Sequence, residues 1–124
     1  MRLAEEDFDS IVEEAIRHIP DEIRNYLKNI IISVRRRPTK AMLKEAGIPR
    51  GHMLLGLYQG VPLTERSAVY PPLYPDKIFL FQEPLEDVCK TREELTRQIE
   101  ITLVHEIAHF IGMSEERLRE LGYG

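Results

Sequence analysis

The sequence predicts an α+β fold, with residues 1–124 forming one domain. Apolar residues recur at helical spacing near the start of the chain and again near its end. Short runs rich in β-branched and aromatic residues lie between these segments, and helices and strands alternate too rarely for a doubly wound sheet. The expected architecture is a small twisted mixed sheet of three or four strands, packed on one long helix.

Phe8, Ile11, Val12, Ala15, Ile16 and Ile19 mark a first amphipathic helix over about 4–19, which Pro20 stops. "DEIRNYL" can add a short helical turn. "NIIISVRRR" follows and reads as a buried strand. "PTKAMLKEAG" predicts a short helix with Thr39 as N-cap and Gly47 just past its end. Two further strand candidates are "HMLLGLY", near 52–58, and "KIFLF", at 77–81. The Pro- and Gly-rich connection between them has no period, and loops of that length in compact domains are commonly functional. Thr91 and Glu94 then form a capping box that opens the longest helix, which runs to Gly112. Ser114 can cap a last short helix, "EERLRELG".

At 43% hydrophobic and 31% charged residues, the composition is that of a globular domain rather than a disordered chain. A net charge of -4 does not favour nucleic acid as a partner, and the cluster Arg35-Arg36-Arg37 reads as a solvated strand end. The single cysteine, Cys89, has no ligand-like neighbours, excludes an intrachain disulfide and fits a reducing compartment. No apolar run approaches the ~20 residues of a membrane span, and the first residues lack the apolar core of a secretion signal. These features predict a cytoplasmic protein.

The chemistry-bearing stretch is "VHEIAHFIGMSEER", Val104 to Arg117. His105 and His109 stand four apart on a helix, so their side chains share a face with Cβ atoms roughly 5–6 Å apart, and both imidazoles can reach one ion. Glu106 points about 100° around the helix from His105. It is placed to hold a metal-bound water rather than to be a ligand. This is the HExxH arrangement: two neutral histidines bind Zn²⁺ and the glutamate is general base.

A catalytic zinc has a third protein ligand, and no later histidine exists in the chain. On a straight helix residue 115 would lie about 9 Å beyond His109 and on another face. Gly112 can turn the chain back, which makes Glu115 the candidate, with Glu116 as its main substitute and Glu120 behind both. Glu115 also suits the first turn of a final helix, and both roles can hold together. His18 and His52 read as ordinary surface or partly buried histidines.

The stretches "EEAIRHIPDEI", "LLGLYQGVPLTERS" and "HEIAHFIGMSEERL" resemble the minimal zincins, small bacterial metallopeptidase-like proteins, over nearly the whole chain. The family pattern is HExxHxxG with an acidic residue shortly after, matched here by His105, Glu106, His109, Gly112 and Glu115. Family members often carry aspartate at the position of Glu115 and a second histidine at that of Phe110. The resemblance implies a zincin-like fold with zinc on the long helix and hydrolysis of peptide bonds. It further implies an edge strand that pairs with an extended substrate, for which Leu54 to Gly60 is the candidate. Leu54, Gly56 and Tyr58 would then contact the substrate, "VPLTERS" would wall the cleft, and Arg66 would bind a carboxylate or steady the loop. Tyr58, Tyr70, Tyr74 and His52 are all candidate donors to an oxyanion.

Two other functions fit less of the sequence. A zincin-shaped module could capture a peptide or protein partner without cutting it, but would have no use for the base Glu106. A ribosomal RNA endonuclease with HxxxHxxGxxxxH would need a third histidine and a basic surface, and this chain has neither.

Overall fold

The computed structural model describes residues 1–60 and 76–124. Helix α1 spans Glu5–His18 and α2 spans Asp21–Arg24, running on through a 3₁₀ turn at Asn25–Asn29. Strand β1 (Ile30–Arg35), helix α3 (Lys40–Glu45) and strand β2 (Gly56–Gln59) follow. The chain then forms β3 (Asp76–Phe81), α4 (Gln82–Asp87), α5 (Arg92–Ile111) and α6 (Glu115–Glu120).

Among the described residues the sheet is three-stranded and mixed, in the order β1-β3-β2. β1 runs parallel to β3, with Ile30 opposite Asp76, and β2 runs antiparallel to it, with Tyr58 opposite Ile78. Central β3 is accordingly the most buried strand, and Ile78 and Leu80 are fully enclosed. The buried strand expected at "NIIISVRRR" is instead, among the described residues, an edge strand: Ile30 is buried, but Ile31 is 46% exposed. An apolar run alone does not tell a covered strand from a bordering one. The strand expected over 52–58 is shorter and later, because regular pairing begins only at Gly56, one residue after Phe81 N–H donates to the Leu55 carbonyl.

Helix α4 is an element the sequence pattern did not announce. It has no apolar period, and Pro84 reads as a breaker. Pro84 falls in the first turn, where its missing N–H needs no intrahelical partner. Glu86 in this helix is 1% exposed, and its carboxylate accepts from Leu3 N–H, Arg2 and the Gln82 amide. The start of the chain is thereby tied to α4.

The core lies between α1, α5 and the sheet. Phe8, Ile11 and Ala15 of α1 and Leu95, Ile99 and Leu103 of α5 are all fully buried in one cluster. The first turn of α5 is fixed by the expected capping box: Glu94 N–H donates to Thr91 Oγ1 at 3.1 Å, and Thr91 N–H donates to Glu94 Oε2 at 3.1 Å. With 20 residues, α5 is about 30 Å long. It carries the HExxH stretch in its last two turns, beside β2.

Candidate active site

Two local devices set where the end of α5 points. Gly112 takes the left-handed conformation, φ 70° and ψ 32°, and Met113 N–H closes the helix on the Ala108 carbonyl at 2.9 Å. Ser114 Oγ then accepts from Arg117 N–H at 3.1 Å and starts α6, whose first residue is Glu115. The chain therefore turns after His109, and Glu115, Glu116 and Glu120 all stand exposed on α6. Glu120 also accepts from Arg117 at 3.1 Å.

His105 is half-buried. Its Nε2 lies 2.6 Å from the backbone oxygen of Tyr123, and since a carbonyl can only accept, this ring nitrogen carries the proton. Tyr123 is itself held from several sides. Its hydroxyl donates to Glu100 at 2.5 Å, and the Arg97 guanidinium lies 5.0 Å from its ring centre while donating to Glu100 at 2.8 Å and to the Gly122 carbonyl at 3.0 Å. Burial, together with the neighbouring Glu100 carboxylate, pushes the Tyr123 phenol up to about 12. His18 approaches the same carboxylate, its Nδ1 3.8 Å from Glu100 Oε1.

Glu106 faces the sheet. Its Oε1 accepts from the backbone N–H of Tyr58 at 2.8 Å. The Leu55–Phe81 bond makes residues 55, 57 and 59 the ones that pair inward with β3, so the N–H groups of Gly56 and Tyr58 face the outer edge. Glu106 thus meets β2 along the side that faces away from β3. Burial raises the pKa of its carboxyl; the Tyr58 N–H bond and the neighbouring His109 and His105 oppose that rise.

His109 is exposed. With Glu106 it borders a cleft of about 380 Å³ lined by Ala46, Ile48, Leu54, Leu57, Tyr58 and Phe110. The Tyr58 and Phe110 rings stack at 4.9 Å between centres, 20° from parallel, and form one wall. Leu54, Gly56 and Tyr58 therefore all border this cleft. Gly56 has a packing role as well, because a Cβ there would stand 2.6 Å from Thr102 Cγ2 and 3.1 Å from the Phe79 carbonyl. Arg66, Tyr70 and Tyr74 lie outside the described residues, and His52 is exposed.

Two imidazoles one helical turn apart, with a carboxylate between them, have the donor chemistry that zinc takes. The third ligand is not in place beside them: among the described residues no three His, Cys, Asp or Glu side chains are grouped so as to hold a metal ion. The donor set fits the ion in kind for two positions.

The chain belongs to the zincin-like metallopeptidase family, whose model matches residues 27–124. No curated protein matches it significantly. Helix α1, which packs on α5 and contributes Phe8 and Ile11 to the core, precedes the matched region. Among the described residues no helix is long and apolar enough to cross a membrane. Sequence reasoning missed Tyr123, Glu100 and Arg97. Arg97 and Glu100 are three apart on one helix, a visible signal for a pair, but nothing in the sequence brought Tyr123 back to His105.

Proposed function

We propose that this protein is a zinc-dependent peptidase, with His105 and His109 as metal ligands, Glu115 as the third, and Glu106 as general base. One observation carries the reading. A half-buried glutamate with a raised pKa sits between two imidazoles on one side and the outer edge of a strand on the other. A base whose pKa is lifted towards neutrality accepts and returns a proton more effectively near pH 7. When bound, zinc would polarise a carbonyl and acidify a water molecule. The chain's own residues do the rest: the edge of β2 aligns an extended peptide by backbone hydrogen bonds, and Glu106 takes the proton from water and passes it to the leaving amine. The partner is a peptide or protein, neither nucleic acid nor membrane, and the lone Cys89 fits a cytoplasmic setting.

Glu106→Gln is the direct test. The amide oxygen can still accept from Tyr58 N–H, so fold and bound zinc should persist, while peptide hydrolysis should fall by about 10²-fold or more. Full activity in this variant would remove Glu106 as base. A second reading is capture of a peptide without cleavage, and the Tyr58 bond favours it by giving Glu106 a structural task that needs no catalysis. Under that reading wild type and Glu106→Gln would bind the same peptides and neither would cut them.

A further inference from the structure

We propose that Tyr123 is a positioning residue for the metal site: its backbone carbonyl fixes the proton of His105 on Nε2, so that His105 presents Nδ1 to the zinc ion. This rests on the zinc reading of the site and adds which nitrogen ligates and what holds it there.

A neutral imidazole carries one proton and one free lone pair, on different nitrogens. The Tyr123 carbonyl, 2.6 Å from Nε2, takes the hydrogen bond from the protonated nitrogen and leaves the lone pair to Nδ1. A metal binds the lone pair, and a ligating histidine commonly donates its other N–H to a backbone carbonyl or a carboxylate, which fixes the tautomer and the ring orientation. Ligation through Nε2 would require the ring to leave this carbonyl. The residue that would then lose its donor is only 5% exposed.

The carbonyl is held through both the backbone and the side chain of its residue. Helix α6 ends in a Schellman turn: Tyr123 N–H donates to the Leu118 carbonyl at 2.9 Å, Gly122 N–H donates to the Arg119 carbonyl at 3.0 Å, and Gly122 takes φ 91°. Leu118 and Tyr123 both belong to the core cluster, which secures the turn from beneath. The Tyr123 hydroxyl donates to the buried Glu100 carboxylate, and Arg97 donates to that carboxylate and to the Gly122 carbonyl. The ring of Tyr123 is thus set by α5 and its backbone by α6. The turn that holds His105 also closes the helix on which Glu115 stands, so the first ligand and the candidate third share one anchor.

The test labels the histidines of the full chain with a nitrogen isotope and follows them in two-bond proton–nitrogen correlation spectra as zinc is added. The His105 signals are assigned in the zinc-free chain by their loss in His105→Ala. In the zinc-bound wild type His105 should keep its proton on Nε2 while its Nδ1 resonance shifts. Tyr123→Ala, which releases the carbonyl from its ring anchor, should mix the two tautomers in the zinc-free chain. It should also raise the zinc dissociation constant about tenfold or more, measured by competition with a chromophoric chelator. Tyr123→Phe, which withdraws only the bond to Glu100, is the substitute if that variant fails to fold, with both readouts moving in the same direction. A proton on Nδ1 of His105 in the zinc-bound chain, or an unchanged tautomer or dissociation constant in the variant, would overturn the assignment and leave the zinc site standing. No response of His105 to zinc would remove the zinc reading and the inference with it.

Discussion

The Nε2 nitrogen of His105 and the carbonyl oxygen of Tyr123 lie 2.6 Å apart, joining the last turns of the HExxH helix to a residue 18 positions further along the chain. Tyr123 is 5% exposed and its hydroxyl is bound to Glu100, itself 4% exposed, so this contact has a buried footing. Tyr123→Phe keeps the ring but withdraws a donor from a buried carboxylate, and should cost about 1–3 kcal/mol in urea unfolding. The His105 ring in the metal-free protein should show its proton on Nε2 in nitrogen-edited NMR. A proton on Nδ1 would contradict the contact.

At Gly56 the side chain of Thr102 on α5 packs close against β2. A methyl group there would meet Thr102 Cγ2 at 2.6 Å, which the packed helix cannot accommodate without moving. Gly56→Ala should therefore destabilise the fold by about 1–3 kcal/mol. Thr102→Ser removes the obstructing methyl and keeps the hydroxyl that donates to the Gln98 carbonyl at 2.8 Å. The double variant should recover part of the loss, the Phe79 carbonyl remaining at 3.1 Å. Simple additivity of the two changes would show that this packing account is wrong.

Cys89 is 6% exposed, and burial raises its thiol pKa. The neutral thiol is the form the fold favours. Its stabilising contribution is thus fully present below the unfolded pKa and is lost as pH rises through the higher folded value. Stability should fall more steeply above about pH 8.5 in the wild type than in Cys89→Ala. Alkylation at pH 8 should be about tenfold or more slower in the native protein than in the unfolded one. Equal rates would place the thiol at the surface.

What could be read in the sequence was whatever depends on near neighbours. The Thr91–Glu94 box, the Thr39 and Ser114 caps, and the turn at Gly112 are set by residues within one or two turns, and each stands where its local chemistry requires. Whether a strand lies at the centre or the border of a sheet depends on distant segments, which is why β1 has Ile31 in solvent despite its four β-branched residues. α4 was hidden because Pro84 breaks helices everywhere except in a first turn. The histidine pair and its glutamate were legible from spacing alone, whereas the hold of Tyr123 on His105 and the meeting of Glu106 with Tyr58 join residues 18 and 48 apart.

The third metal ligand is the part of the site that mutation decides most directly. The left-handed turn at Gly112 brings α6 off the line of α5, and its first two residues are Glu115 and Glu116. With Glu115 as ligand, zinc content after purification without metal-chelating resin should be one ion per chain in the wild type and in Glu116→Ala. It should be lost on dialysis in His105→Ala, His109→Ala and Glu115→Ala. Gly112→Ala forces a side chain into the left-handed region, at about 1–2 kcal/mol, and should weaken zinc binding even though residue 112 has no ligating atom of its own. If Glu116→Ala loses the ion and Glu115→Ala keeps it, Glu116 is the ligand. If neither change matters, the third ligand is Glu120 or lies outside α6.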